Sequence, residues 1–154
     1  MSKFFSTNRC RGFTLIELVV IMVLIGVLAV FSIGRFADRS SFEARGYYDE
    51  LTAATRYAQR YAVASGCTVR ITIDGAGNYS LSTQDAVCGV GTSVQGPDGS
   101  TFSGAAPSGV SVSPLNTSFD FDALGATGAG GMVQVQGGGS THSFTITAGS
   151  GFVQ

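Results

Sequence analysis

The 22 residues from Phe13 to Gly34, FTLIELVVIMVLIGVLAVFSIG, carry a single charged side chain, Glu17. A helix that is apolar all round needs lipid or other helices on every side. At 1.5 Å per residue the run extends about 33 Å, enough to cross a ~30 Å hydrocarbon core. Lys3, Arg9 and Arg11 precede it without an acid, whereas Arg35, Asp38 and Arg39 nearly balance after it. The positive-inside bias therefore puts the N-terminus in the cytoplasm and the rest of the chain across the membrane. The run is too long for the apolar part of a secretory signal peptide, and no A-x-A cleavage pattern follows it. A lipoprotein signal fits no better, because Ser6-Thr7-Asn8-Arg9 precedes Cys10 where an apolar stretch is required.

Helical periodicity continues past the apolar run. Phe42, Tyr47, Leu51, Ala54, Ala58 and Tyr61 recur at spacings of three to five, while Arg45, Glu50, Arg56 and Arg60 take other positions. The pattern predicts an amphipathic continuation of the same helix over residues 35–66, with Gly66 as its C-cap. Composition then changes: 18 of the 22 glycines and all three prolines lie from Gly66 onward. Strands and turns replace helix there. Cys67 to Ile73 and Tyr79 to Ser82 alternate at period two around the turn cluster Asp74-Gly75-Ala76-Gly77-Asn78, which predicts a hairpin. Further short strands are expected at Val110 to Val112, Phe119 to Phe121, Met132 to Gln136 and Phe144 to Thr147, with Gly137-Gly138-Gly139 linking the last two. Residues 89–109 lack periodicity and read as an exposed loop. The predicted class is α+β: a long N-terminal helix, membrane-spanning in its first half, packed on a small antiparallel β-rich head of five to seven strands over residues 67–154.

Composition excludes several function classes. Charged residues are 12% of the 154, against about 25% in a typical soluble domain, so Ser, Thr and Gly must cover much of the head. A net charge of −1 with Lys3 as the one lysine removes the attraction that dominates nucleic-acid binding, and no nucleic-acid partner is expected. One histidine and three cysteines, none at CxxC or HExxH spacing, give no metal site and imply no cofactor. Asp120 and Asp122 share a strand face but are too few for a calcium site. His142 lies beside Ser140, Thr141 and Ser143 without a G-x-S-x-G elbow and reads as a surface histidine. The stretch from Gly125 to Gly131 lacks the G-K-[ST] ending of a phosphate loop and reads as a flexible hairpin linker. No catalytic residue is assigned, and the chain is not read as an enzyme.

Arg11-Gly12-Phe13-Thr14-Leu15-Ile16-Glu17 resembles the type III signal of type IV pilins and type II secretion pseudopilins: a short basic leader ending in Gly, then Phe-Thr-Leu-Ile-Glu opening an apolar helix. The likeness covers about residues 9–36. It implies a leader at residues 1–12, cleavage between Gly12 and Phe13 by a membrane prepilin peptidase, N-methylation of Phe13 by the same enzyme, and a transmembrane and assembly helix at residues 13–34. Toward the other end, Phe119-Asp120-Phe121-Asp122-Ala123-Leu124-Gly125, two alternating strands and Gly151-Phe152-Val153 look like the minor pilins and pseudopilins of the GspH/FimT type, including the minor prepilins of mannose-sensitive haemagglutinin (MSHA) pili. The chain has no proline before Pro97, unlike many major pilins, which favours a minor subunit.

A carboxylate inside a membrane helix costs at least about 2.5 kcal/mol, so Glu17 calls for a role. It lies one turn from the α-amine that cleavage would create on Phe13. The resemblance implies that it pairs with the amine of a neighbouring subunit during assembly, while the plainer reading is a first-turn acid favoured by the helix dipole. Cys10 leaves with the leader, so Cys67 and Cys88 are the thiols that face an oxidising periplasm, and they should pair. The expected partners are other pilin or pseudopilin subunits, the prepilin peptidase and the inner membrane, with the head periplasmic before assembly into a pilus or pseudopilus. The alternative is a binding module at a pilus tip, recognising a surface glycan through polar and aromatic loop residues such as Phe102. DNA fits less well, because no basic residue except His142 follows Arg70.

Overall fold

A computed structural model describes residues 13–32 and 37–154, which fall in two units divided at Phe36. The first unit is helix α1, Leu15–Ser32. Its 18 residues rise about 27 Å, a few ångströms less than a ~30 Å hydrocarbon core. Among the described residues no helix is long and apolar enough to cross a membrane. The span expected at residues 13–34 runs on into positions outside the described residues, as does the join expected to make one helix of the two.

The second unit holds helix α2, Ala37–Ser65, and seven strands. Ala44, Tyr47, Leu51, Ala54, Ala58 and Ala62 are all buried and return every three or four residues, which puts them on one stripe. The stripe keeps Tyr47, Leu51, Ala54 and Ala58 of the expected one, while at its ends Ala44 and Ala62 take the place of Phe42, which is 76% exposed, and Tyr61, which is only partly buried. Small alanines let the helix approach the strands closely, Ala54 and Ala58 where the spacing put them and Ala44 and Ala62 beyond it. Gly66, at φ 70°, ends the helix as expected, and its N–H donates to the Ala62 carbonyl at 2.9 Å.

Two antiparallel sheets form the rest of the head. Strands β1 (Val69–Ile73), β2 (Tyr79–Thr83), β3 (Ser103–Gly104) and β5 (Thr117–Phe121) make one, in the order β3-β2-β1-β5. Strands β4 (Ser111–Ser113), β6 (Gly131–Gly137) and β7 (Ser140–Ile146) make the other, in the order β4-β6-β7. Period-two alternation sends Val69, Ile71, Ile73, Leu81, Phe119 and Phe121 of the first sheet and Val133, Val135, Phe144 and Ile146 of the second into one core with the α2 stripe. The first hairpin pairs Val69 with Thr83 and Ile73 with Tyr79. In its turn the Asp74 carboxylate accepts the N–H groups of Ala76 and Asn78 at 2.8 and 2.9 Å. The second hairpin pairs Gly137 with Ser140, so Gly138 and Gly139 are its two turn residues. Both have positive φ, 57° and 79°, as a type I′ turn requires.

Two expectations change. Residues 89–109 are not a free loop: Val94 is buried, its N–H donates to Leu81 O at 3.0 Å, and β3 adds to the β2 edge. Short stretches of this segment cover that edge in turn, none long enough to show alternation. The stretch from Gly125 to Gly131 is a crossover between the two sheets and not a hairpin, since β5 pairs with β1 while β6 pairs with β4 and β7.

Candidate assembly surface

Thr14 starts α1. Its hydroxyl accepts the Glu17 backbone N–H at 3.3 Å, and its carbonyl accepts the Leu18 N–H at 3.2 Å. Thr14-Leu15-Ile16-Glu17 is thus the S/T-x-x-E pattern of a capping box, with Glu17 in the first turn where the helix dipole favours an acid. The role of Thr14 was missed in the motif, although the three-residue spacing shows it. Every residue from Phe13 to Ala29 is exposed, from Leu15 at 83% to Ile21 at 41%. An apolar helix with no covered face presents more hydrocarbon than water tolerates, and such patches mark membrane or protein contacts. Glu17 is the one charge on this surface, and among the described residues no side chain pairs with its carboxylate. Gly12 lies outside the described residues. Phe13 stands just ahead of the helix and is exposed.

Cys67 and Cys88 are joined as expected, with their Cα atoms 6.4 Å apart. The bond ties the residue after the α2 cap to the segment following β2. In the same place the Asp85 carboxylate accepts the Thr68 N–H.

The remaining candidate residues are occupied locally. Arg70 donates to both oxygens of Asp120, at 2.6 and 2.7 Å, and this bidentate contact raises the guanidinium pKa further. Asp122 accepts the N–H groups of Leu124 and Ala126 at 2.9 Å and so holds the turn after β5. Among the described residues no three His, Cys, Asp or Glu side chains gather as a metal site would require. His142 is partly buried with its ring 5.5 Å from that of Tyr48. Phe102, offered as a glycan contact, stacks on Tyr57 with ring centres 4.4 Å apart, and that face is taken.

The sequence reading did not anticipate one polar cluster, which reaches from the core to the surface. The Tyr47 hydroxyl donates to Gly77 O at 2.5 Å and the Tyr79 hydroxyl to Glu50 Oε1 at 2.8 Å. Burial, with Glu50 and Asp74 adding, pushes the Tyr47 phenol up to about 12, and burial with the Glu50 bond raises Tyr79 as well. The cluster fastens α2 to the first hairpin.

The model of the prokaryotic N-terminal methylation motif matches residues 7–33, and that of type II transport protein GspH matches residues 48–151. The type IV narrow pilus major component PilA5 of Thermus thermophilus is 40% identical over 57 residues, which are 37% of this chain and 47% of that protein. The match thus spans less than half the length of that relative. The type IV minor pilin FimU of Pseudomonas aeruginosa has a similar fold: TM-score 0.54 at 16% identity, over 77% of this chain and 90% of that one. The minor pseudopilin EpsH from the type 2 secretion system of Vibrio cholerae also scores 0.54, at 13% identity over 75% and 94% of the two chains.

Proposed function

Because the chain belongs to the family of type II transport protein GspH, we propose that it is a minor pilin or pseudopilin that enters a type IV pilus, of MSHA or another type, or a type II secretion pseudopilus. Pilins and pseudopilins are structural subunits and not enzymes, and this chain is one of them. In this reading the leader at residues 1–12 is removed between Gly12 and Phe13, and Phe13 is methylated. Residues 13–34 hold the chain in the inner membrane, residues 35–66 carry the helix onward, and the head at residues 67–154 stands in the periplasm.

The observation that carries the reading is α1, with every residue from Phe13 to Ala29 exposed and one acid at Glu17. Lipid covers such a helix before assembly and the helices of other subunits cover it afterwards. In the second setting Glu17 meets the α-amine of a neighbour's Phe13, and each charge removes the other's burial cost. Mass spectrometry of the chain recovered from sheared filaments tests this. A mature terminus at methylated Phe13 is expected, and Gly12→Val should leave the leader attached. A different terminus in cells with an active prepilin peptidase overturns the reading.

A further inference from the structure

The two sheets have four edge strands, and three of them carry devices that limit pairing. β3 is two residues long, β4 is three and runs into Pro114, and β5 bears Asp120 and is bridged to Thr127. β7 is different: its seven residues, STHSFTI, include no Asp, Glu, Lys, Arg or Pro and pair with β6 without a break in register. Thr145 and Gln154 exchange N–H···O bonds at 2.7 and 3.0 Å, and the Thr147 N–H donates to Phe152 O at 2.9 Å, so residues 152–154 cover the C-terminal end of its outer side. In an antiparallel ladder the polar backbone groups of successive residues face opposite neighbours. Because those of Thr145 face residues 152–154, those of Ser143 and Thr141 face the same way, and among the described residues nothing pairs with them. Both residues are exposed.

One side of α2 runs along this edge. The Tyr48 ring lies 5.5 Å from that of His142 and 6.1 Å from that of Phe144, and two turns further on Arg56 Nη2 donates to Val153 O at 3.3 Å. Thr52 stands one turn from each of them. It is 7% exposed, and among the described residues its buried hydroxyl has no partner. Val153 shows what this edge accepts: it is bridged to Ile146, its side chain is buried, and Arg56 holds its carbonyl. A strand placed in line with residues 152–154 turns alternate side chains inward, toward the side of α2 that carries Tyr48 and Thr52.

We infer that the open stretch of β7 receives an extended segment of a different pilin or pseudopilin subunit, which pairs with Thr141 and Ser143 in line with residues 152–154. The N–H and C=O groups of these two residues give the attachment. The inward side chains of the segment, uncharged and either apolar or hydroxyl-bearing, give the choice of partner, because they meet the Tyr48 and His142 rings and the Thr52 hydroxyl. Occupancy also closes an edge that would otherwise pair without discrimination. Two β7 edges joined to each other make a closed twofold dimer, which does not continue into a filament, so a second copy is not the occupant. The inference rests on the pilin reading above and adds the strand by which the head holds a neighbour.

The test places p-benzoylphenylalanine at position 141 of the whole chain in cells that assemble filaments, irradiates them, and maps the products by mass spectrometry. The expected product joins position 141 to a segment of another pilin or pseudopilin subunit. Ser143→Pro removes the outward N–H without removing a bond to β6 and should lower the yield about tenfold, whereas Ser143→Ala keeps the N–H and should leave the yield unchanged. Ser143→Lys leaves the backbone intact and puts a charge at the edge; it should lower the yield as well, and it decides the matter where the proline variant does not fold. Equal yields in Ser143→Ala and both other variants, a product with β7 of a second copy, a product with a protein that is not a pilin or pseudopilin, or no product in filaments that contain the mature chain overturns the inference while the pilin reading stands. Filaments that lack the chain altogether overturn both.

Discussion

Helices α1 and α2 follow the same backbone geometry and are stabilised in different ways. In α2 one stripe, with two large residues among four alanines, buries Ala44, Tyr47, Leu51, Ala54, Ala58 and Ala62 against two sheets, and polar contacts such as Tyr47 to Gly77 fix the docking. In α1 no residue from Phe13 to Ala29 is covered, and the Thr14 hydroxyl, which accepts the Glu17 N–H, is the local device that sets its start. An apolar helix without a covered face is not held by packing within its own unit. The head buries its own core, whereas α1 buries none of its residues from Phe13 to Ala29.

The largest effect expected from this difference is at Glu17. Replacing it by Val removes a charge that is costly in hydrocarbon, so the processed chain should remain in the membrane at wild-type level. Where the carboxylate answers a neighbour's amine, the same change leaves that amine buried and unpaired, at about 3–5 kcal/mol. The share of the chain in sheared filaments relative to membranes should then collapse. Equal incorporation would mean that Glu17 does no more than complete the first turn beside Thr14.

Substitutions in the two units should part company in the same way. Phe121 is fully buried between strands and helix, and Phe121→Ala should lower head stability by about 3–5 kcal/mol. Leu24 is exposed on α1, and Leu24→Ala should leave the unfolding midpoint of the head unchanged in detergent. A common shift would show that the two units unfold together.

How much of this was legible in the sequence follows the same division. The apolar run, Gly66, both hairpins and the Cys67–Cys88 pair were all readable, because each rests on a local rule: periodicity, a positive φ, a turn composition, a compartment. The middle of the α2 stripe was readable as well, but its ends were not, since which neighbour turns inward there depends on strands that arrive later in the chain. Phe42 followed the period and still points outward. Val94 and β3 were hidden for a related reason, as edge pairing with β2 uses segments too short to alternate. In the site, the charge at Glu17 stood out, but the Tyr47 and Tyr79 cluster joins residues about 30 positions apart and no spacing announces it.

A smaller effect is expected at the disulfide. The bond closes a loop with a sequence separation of 21, for which chain entropy gives about 3 kcal/mol. Cys67→Ser should lower head stability by about 2–4 kcal/mol without moving the chain out of the membrane fraction. Protein from the periplasmic face should show no free thiol at Cys67 or Cys88 under denaturing alkylation. Alkylation of both in native extracts would contradict the pairing or the side of the membrane.

The smallest effect is a pH dependence that only the packed unit can have. Tyr47 titrates near 10 in an unfolded chain and at about 12 when folded, because burial disfavours its phenolate and Glu50 and Asp74 add repulsion. Below pH 10 both states hold the proton and the group makes no contribution to the slope. Between about pH 10 and 12 the unfolded chain releases the proton and the folded head retains it, so stability falls by about 1.4 kcal/mol per pH unit for this group. Tyr79 is raised for the same main reason and steepens the fall. Tyr47→Phe should remove the Tyr47 share of that slope and cost about 1 kcal/mol at neutral pH, where the hydrogen bond to Gly77 is lost. Denaturant midpoints measured from pH 8 to 12, beside the tyrosinate absorbance of the folded head, would show it. An unchanged slope in Tyr47→Phe would mean that this phenol meets water in the folded head, and that its bond to Gly77 does not help to fasten α2 to the first hairpin.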